Sequence, residues 1–267
     1  MGLRRADEPL LDVRLFRNAR FTAASSTIMV LFFALFGFLF LSTQYLQFVL
    51  GYSPLGAGVR ALPYAGAMIV FAIGSSALVV RLGTKRVVTV GMLLFAAGLA
   101  VVATVSTDSG YGLLAVAMGL MGAGMGLAGA PATESIMGSL PPERANTGSA
   151  VNDTTRELGG ALGVAIVGSV MSSLYTAQLS DTLPDSVPPA AADAARESLG
   201  AGIQLGPDIA NAAREAFVHA MAGASLVVAI VAAFGAVIAW RYLPARVAAE
   251  HDNVQTAPDP MLPEVSS

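Results

Sequence analysis

Long apolar stretches with few or no charged residues recur along the chain, and short polar segments separate them. Six of these stretches reach the length of about 20 residues that an α-helix needs to cross a bilayer. The pattern predicts an all-α integral membrane protein, built as a bundle of six spanning helices. The predicted helices cover residues 21–47, 57–80, 86–106, 110–138, 146–173 and 216–241.

The segments outside these helices differ in charge. Residues 1–20 are basic, residues 174–215 form a long acidic connection, and residues 244–267 are rich in proline and predicted to be disordered. Because Lys and Arg are enriched in cytoplasmic loops, their alternation predicts that both termini are cytoplasmic and that residues 174–215 are extracellular. Within that connection, residues 190–205 are predicted to form a short surface helix. Arg60, beside an otherwise uncharged outer connection, departs from the alternation.

Composition narrows the class of protein. Only 12% of the residues are charged and 55% are hydrophobic, whereas soluble domains average roughly 25% charged residues. A net charge of −3 gives no basic excess that would attract nucleic acid. The absence of cysteine excludes thiolate metal sites, and the presence of only two histidines, far apart in sequence, argues against a histidine metal cluster. We therefore expect a non-enzymatic protein without metal or cofactor, whose first partner is the lipid bilayer.

Ionisable residues at membrane helices are costly and are candidates for function. Asp153 and Arg156 are spaced i,i+3 at the start of the fifth predicted helix, so they can meet on one face. Glu134 lies near the end of the fourth helix, and Arg81 and Lys85 flank a glycine in the turn after the second. One interpretation is a charge network that gates the cytoplasmic side. The alternative is a set of solvated helix ends, an interfacial carboxylate and an ordinary topology signal.

Small residues predict where helices approach closely. The fourth helix carries a GxxxG pair followed by a proline that can kink it, and the fifth carries three closely spaced glycines. The predicted packing positions are Gly122, Gly126, Pro131, Gly159, Gly160 and Gly163.

Two apolar faces are candidates for a substrate cavity. Methionines recur at i, i+3 and i+7 on the fourth helix, and methionine adapts to varied apolar shapes. Phenylalanines share one face of the first helix, with glutamine at the predicted outer mouth. The alternative is that both faces meet lipid or the bundle core. The candidate residues are Phe33, Phe36, Phe40, Gln44, Met118, Met121 and Met125.

Five segments resemble the 14-helix drug:proton antiporters of the major facilitator superfamily, and the match covers most of residues 9–243. The segments are residues 9–17, 44–54, 57–63, 150–156 and 158–163. The turn after the second helix also matches the family's basic turn at Arg81, Gly83 and Lys85. It departs from that pattern at Ser76, Val80 and Thr84, which replace a glycine, an aspartate and a basic residue.

The resemblance implies a fold equivalent to the C-terminal half of such a transporter, in the plasma or inner membrane. It implies proton-coupled efflux of small hydrophobic or cationic substrates through a cavity between two six-helix bundles, with the first and fourth helices of each bundle lining it. One bundle has no second wall, so we expect a missing N-terminal half or a second copy as partner. The alternative is a non-transporting membrane bundle, either a gene fragment or an interaction module.

Overall fold

The computed structural model describes residues 17–141, 145–183 and 187–244. Most of the predicted N-terminal segment and nearly all of the predicted tail lie outside these residues. Nine α-helices occur within the described part, and a π-helical turn, Tyr45–Val49, directly extends the first of them. They are α1 Ala19–Gln44, α2 Pro54–Val59, α3 Leu62–Leu82, α4 Thr84–Val102, α5 Gly110–Met137, α6 Ala145–Thr182, α7 Pro189–Glu197, α8 Leu199–Gly202 and α9 Pro207–Tyr242.

Six helical stretches of the described chain are long and apolar enough to cross a membrane. This confirms the predicted all-α, six-helix membrane bundle. The predicted ends of the fifth and sixth helices were wrong, because α6 continues to Thr182 and α9 begins at Pro207. The apolar stretch marks only the part of a helix that lies in lipid, whereas hydrogen bonding inside the helix continues into water. The connection between them is therefore shorter than the predicted residues 174–215, and it contains α7 and α8.

Local signals fix several helix ends. The Oδ1 atom of Asn18 accepts hydrogen bonds from the backbone N–H groups of Arg20 and Phe21, at 3.0 and 3.4 Å, and so caps α1. A single residue, Gly83, joins α3 to α4 with φ of 86° and ψ of 151°. Residues with a Cβ rarely adopt this conformation, so the reversal between two spanning helices depends on glycine here.

The bundle is arranged around α1, α4 and α5. Helix α1 packs against α6 and α9, while α5 packs against α3 and α4, and α4 also contacts α9. Helices α1 and α5 meet in the middle of the bundle, where large side chains such as Phe38, Phe95 and Met118 are almost completely buried. Helix α3 lies at the edge, since Ser75 is its one fully buried residue. Its remaining faces need lipid or another protein to cover them.

The glycines of α5 allow the backbone of α3 to come into direct contact with the backbone of α5. A Cβ atom placed on Gly126 would lie 2.5 Å from the carbonyl oxygen of Met68, and one on Gly122 would clash with the carbonyl oxygen of Tyr64. The pairing runs 122 with 64 and 126 with 68, so the two helices run in the same direction. Pro131 is buried, and α5 continues past it to Met137 as one helix.

The glycines of α6 do the same against α1. A Cβ on Gly159 would lie 2.5 Å from the carbonyl oxygen of Met29, and one on Gly163 would clash with that of Phe33. One on Gly160 would lie 3.2 Å from the ring of Phe36. These contacts also run in parallel, so α1 and α6 begin on the same side of the membrane. Such close approach is the usual basis of helix association in lipid, where the hydrophobic effect gives no drive.

Candidate functional site

Arg156 lies where three spanning helices meet. It extends from α6 to α5, where its Nη2 atom donates a hydrogen bond to the hydroxyl oxygen of Thr133 at 3.1 Å. Its guanidinium carbon lies 5.2 Å from the centre of the Phe32 ring on α1, within the range of a cation–π interaction. Eleven residues separate Arg156 from the start of α6 at Ala145, which corresponds to about 16 Å along the helix axis.

A short polar chain continues from this arginine. The Thr133 hydroxyl donates to the Oδ1 atom of Asn152, and the Nδ2 atom of Asn152 donates to Asp153, both at 3.5 Å. These two bonds are long, so they are weaker than the bond from Arg156 to Thr133. Asn152 is only 4% exposed, whereas Asp153 is exposed. The chain therefore links a half-buried cation to an exposed carboxylate through two neutral side chains.

The guanidinium group of Arg156 has spare hydrogen-bonding capacity. Its Nε atom is buried and has no hydrogen-bond partner among the described residues. Nor does any carboxylate of the described chain form an ion pair with it, the one such pair found there being Arg196 with Asp193. Arginine stays charged in proteins, so its buried part strongly favours an anionic or strongly polar partner. This makes Arg156 the site residue with the clearest reason to change partners.

The structure brings only part of the predicted charge network together. Arg156 and Asp153 are linked through Thr133 and Asn152 as described above. Glu134 is exposed beside Thr133 and Arg81 is exposed at the end of α3, and within the described residues neither forms an ion pair. Lys85 lies elsewhere, with its Nζ atom 4.7 Å from the centre of the Trp240 ring on α9. The gating role of the five residues stays a prediction.

The phenylalanine face of α1 divides into two regions. The backbone of Phe33 and the ring of Phe36 contact glycines of α6, and Phe36 also stacks on Phe32 with ring centres 6.3 Å apart. Further along α1, Phe40 and Gln44 line a cavity of about 160 Å³. The same cavity is lined by Met171 and Tyr175 of α6, Glu197 of α7 and Phe217 of α9.

This cavity combines aromatic walls with one carboxylate. The Tyr175 hydroxyl donates to the backbone carbonyl oxygen of Ala195 at 2.9 Å, which ties the end of α6 to α7 and holds one wall in place. Aromatic faces and a carboxylate together attract an organic cation. The cavity is smaller than a typical site for a drug-sized molecule, which encloses roughly 300–1,000 Å³. It has room for one end of such a molecule.

The methionine face of α5 is not part of an open cavity. Met118 and Met121 are 1% and 0% exposed, and Met125 is also buried. Met121 packs against α4, since a Cβ on Gly98 would lie 2.5 Å from its Cγ atom. The expectation that these three residues contact substrate is therefore corrected for this structure, in which they belong to the core. Spacing showed that they share a face, but not which helix covers that face.

Arg60, the exception to the charge alternation, has an aromatic environment. Its guanidinium carbon lies 3.4 Å from the centre of the Tyr52 ring and 5.6 Å from that of Tyr111. The Tyr111 hydroxyl donates to the backbone carbonyl oxygen of Arg60 at 2.8 Å. Cation–π contacts compensate the charge without an acidic partner. Tyr52 lies eight residues before Arg60, whereas Tyr111 follows the connection between α4 and α5, so sequence spacing gave no signal for this cluster.

Sequence reasoning also missed Thr133 and Phe32 as neighbours of Arg156. Thr133 is uncharged, so a search for charged residues in membrane helices passes over it. Phe32 lies one position from the phenylalanine face that was singled out. The available signal was a polar residue, Thr133, two positions after Pro131 in a predicted spanning helix.

The fold and the site together define a polytopic α-helical membrane protein. The structure is similar to a bacterial homolog of the human lysosomal transporter Spinster, solved in an inward-facing and unoccupied conformation, with a TM-score of 0.63. The two chains are 17% identical, and the match covers 93% of this chain and 54% of that one. At this identity the likeness concerns the fold alone.

The family follows from the sequence. Residues 3–164 match the family model of the Major Facilitator Superfamily. The chain belongs to this superfamily.

Three curated relatives show the range of similar proteins. The tetracenomycin C resistance and export protein of Streptomyces glaucescens is 35% identical over 61% of this chain, and the multidrug resistance protein Stp of Mycobacterium tuberculosis is 33% identical over 62%. The methyl viologen resistance protein SmvA of Salmonella typhimurium is 37% identical over 60%. The aligned part covers only 30–32% of the length of these relatives.

Proposed function

We propose that this chain forms the C-terminal six-helix half of a proton-coupled transporter that exports small hydrophobic or cationic drugs across the plasma or inner membrane. Family membership supports transport, and the names of the three relatives support drug export. The observation that carries the proposal is the half-buried guanidinium of Arg156, which joins α1, α5 and α6 and has no carboxylate partner among the described residues.

A second bundle supplies the facing wall of the transport pathway. Apolar side chains remain exposed on α6, which carries Arg156, and on α1, which packs against it. Examples are Leu162 and Ile166 on α6 and Phe36 and Phe40 on α1. Large exposed apolar surface of this kind marks lipid contact or an interface. In this proposal a missing N-terminal half, or a second copy of the chain, covers it. Both termini lie in the cytoplasm, as the basic residues predict.

Arg156 exchanges partners during the transport cycle. In one state it binds Thr133, and in the other it forms an ion pair with Asp153 or Glu134. A proton on the carboxylate removes the negative charge and favours return to Thr133. Such exchange couples proton binding to a change in contact between α5 and α6, which touch each other far less than either touches the other spanning helices it packs against.

The cavity at Phe40 and Gln44 lies on the outer side and is the exit for substrate. Its aromatic rings contact the apolar part of the molecule, and Glu197 attracts a positive charge. Because Glu197 lies in the short α7 helix, the connection between α6 and α9 contributes directly to substrate release.

The test uses the complete transporter in its host, with membrane abundance measured beside drug resistance. We expect Asp153→Asn and Arg156→Ala each to abolish resistance while abundance stays at the wild-type level. Arg17→Ala is the matched control, because this exposed arginine precedes α1 and lies outside the proposed gate and the cavity at Phe40. Full resistance in both site variants would remove the two residues from the mechanism.

A further inference from the structure

A second, larger cavity lies on the surface of the bundle, between α4 and α9. Its volume is about 590 Å³, which is within the range of small-molecule sites. One wall consists of Arg86, Thr89, Val90 and Leu93, and the other of Ala233, Ala236, Val237 and Trp240, with Leu82 at one end. Both walls follow the spacing i, i+3, i+4 and i+7, which is one face of an α-helix. The cavity is therefore a straight groove between two helical faces, and we refer to it as the α4–α9 groove.

The groove is apolar along its length. The polar side-chain groups of its lining are the guanidinium of Arg86, the hydroxyl of Thr89 and the indole N–H of Trp240. The Thr89 hydroxyl already donates to the backbone carbonyl oxygen of Lys85 at 2.8 Å, so it needs no further partner. Seven residues of helix correspond to about 10 Å, which fits within one leaflet, about 15 Å of hydrocarbon. These dimensions suit a stretch of acyl chain.

One end of the groove is strongly basic. The backbone N–H of Lys85 donates to the carbonyl oxygen of Pro244 at 3.3 Å, so the start of α4 and the end of α9 lie side by side. This contact brings Lys85, Arg86 and Arg241 to the same end, where Lys85 also lies over the Trp240 ring. Within the described residues none of these three cations forms an ion pair.

We propose that the α4–α9 groove binds an anionic phospholipid, with an acyl chain between the two helices and the phosphate headgroup at Lys85, Arg86 and Arg241. Charge complementarity identifies this occupant, because three cations without an ion-pair partner among the described residues favour a lipid with a net negative headgroup over a zwitterionic one. Basic pockets between membrane helices on the cytoplasmic side bind such headgroups. The indole ring of Trp240, half-exposed beside Lys85, suits the same membrane interface. This inference does not depend on the proposed transport activity.

The chain carries its own probe for the test. Trp240 is the single tryptophan of the sequence and it lines the groove. The purified protein is reconstituted into phosphatidylcholine vesicles that contain brominated phosphatidylglycerol or brominated phosphatidylcholine at equal mole fraction, and quenching of Trp240 fluorescence is measured. Both lipids are compared in the same variant, so the ratio of their binding constants does not depend on the intrinsic emission of the indole in that variant.

We expect the wild-type ratio to favour phosphatidylglycerol by ~5-fold or more, since one basic residue near a membrane contributes about 1 kcal/mol. The triple variant Lys85→Gln, Arg86→Gln, Arg241→Gln is expected to bring the ratio to about 1. If that variant does not fold, the single change of the exposed Arg86→Gln is expected to lower the ratio clearly. Arg17→Gln is the matched control, because it removes an exposed basic residue that lies before α1 and outside the groove, and it is expected to keep the wild-type ratio.

Three outcomes would overturn the proposal. A wild-type ratio near 1 would show that the basic mouth does not select the headgroup. An equal decrease in Arg17→Gln and Arg86→Gln would indicate general surface attraction instead of a site. Absence of quenching by both lipids would show that protein, in the form of a second copy or another subunit, covers the groove.

Discussion

Gly126 offers a sharp test of how α3 is attached to the bundle. The change Gly126→Ala adds a methyl group that would lie 2.5 Å from the carbonyl oxygen of Met68 and 2.7 Å from the amide nitrogen of Ala72. Carbon–oxygen contacts between helix backbones normally lie at about 3.3–3.6 Å. The two helices must therefore separate by about 1 Å, because both atoms belong to the backbone and cannot move alone.

The expected cost follows from two opposing effects. Replacing glycine by alanine inside a helix stabilises the helix by about 0.8–1 kcal/mol, whereas forcing an extra methyl group into a packed contact costs about 1–3 kcal/mol. Gly129→Ala is the matched control on the same helix, since its Cβ would meet only the Met125 side chain at 3.8 Å. We expect Gly126→Ala to be less stable than Gly129→Ala by about 1–3 kcal/mol.

The assay is reversible unfolding of both variants in mixed micelles, monitored by the circular dichroism signal of the helices. A second readout is the distance between spin labels placed on α3 and α5 at engineered cysteines, which the cysteine-free sequence makes possible without background. We expect this distance to increase in Gly126→Ala and to stay unchanged in Gly129→Ala. Equal stability of the two variants, with an unchanged distance, would refute the close backbone contact.

Three further predictions concern function. Thr133→Ala removes the hydrogen-bond partner of Arg156 and should reduce drug efflux at least tenfold, because a charge-assisted hydrogen bond contributes about 1.5–3 kcal/mol. Thr133→Ser keeps the hydroxyl and should keep wild-type efflux. Equal efflux in both variants would contradict the role of the bond. Glu197→Gln should lower resistance to cationic drugs and leave resistance to neutral ones unchanged, as measured by growth inhibition; equal loss for both classes would argue against an electrostatic role. Immunoblotting of native membranes should reveal a polypeptide well above 27.2 kDa or a separate companion half; a 27.2 kDa product without a companion would favour a dimer or a non-transporting bundle.

The number of spanning helices and their approximate positions could be predicted from the sequence, because crossing a bilayer imposes a length and a composition on each segment. The glycine pairs could also be predicted from the sequence, since Gly122 and Gly126 lie about one helical turn apart. Which helix each pair contacts was not, because spacing describes one surface and leaves the opposing one undetermined. The same limit explains why Met121 was expected to face a cavity although it packs against α4.

The polar site was predictable only in part. Asp153 and Arg156 are neighbours on one helix, so local spacing was enough to associate them. The bond between Arg156 and Thr133 joins two helices across 23 residues of sequence and depends on how α5 and α6 pack. The contact between Lys85 and Trp240 spans an even longer separation and depends on α9 ending beside the start of α4.

The parallel pairing of α1 with α6 also determines the order in which the protein can assemble. Met29 and its partner Gly159 are separated by 130 residues, and ribosomes add about 5–20 residues per second. The first helix therefore spends on the order of ten seconds in the membrane before the helix that fits against it has been made. During this interval α3, α4 and α5 have already been synthesised and can pack together. Docking of α1 onto α6 is thus a late step of biogenesis, and the strip of α1 around Met29 and Phe33 is the surface that a membrane chaperone would need to shield.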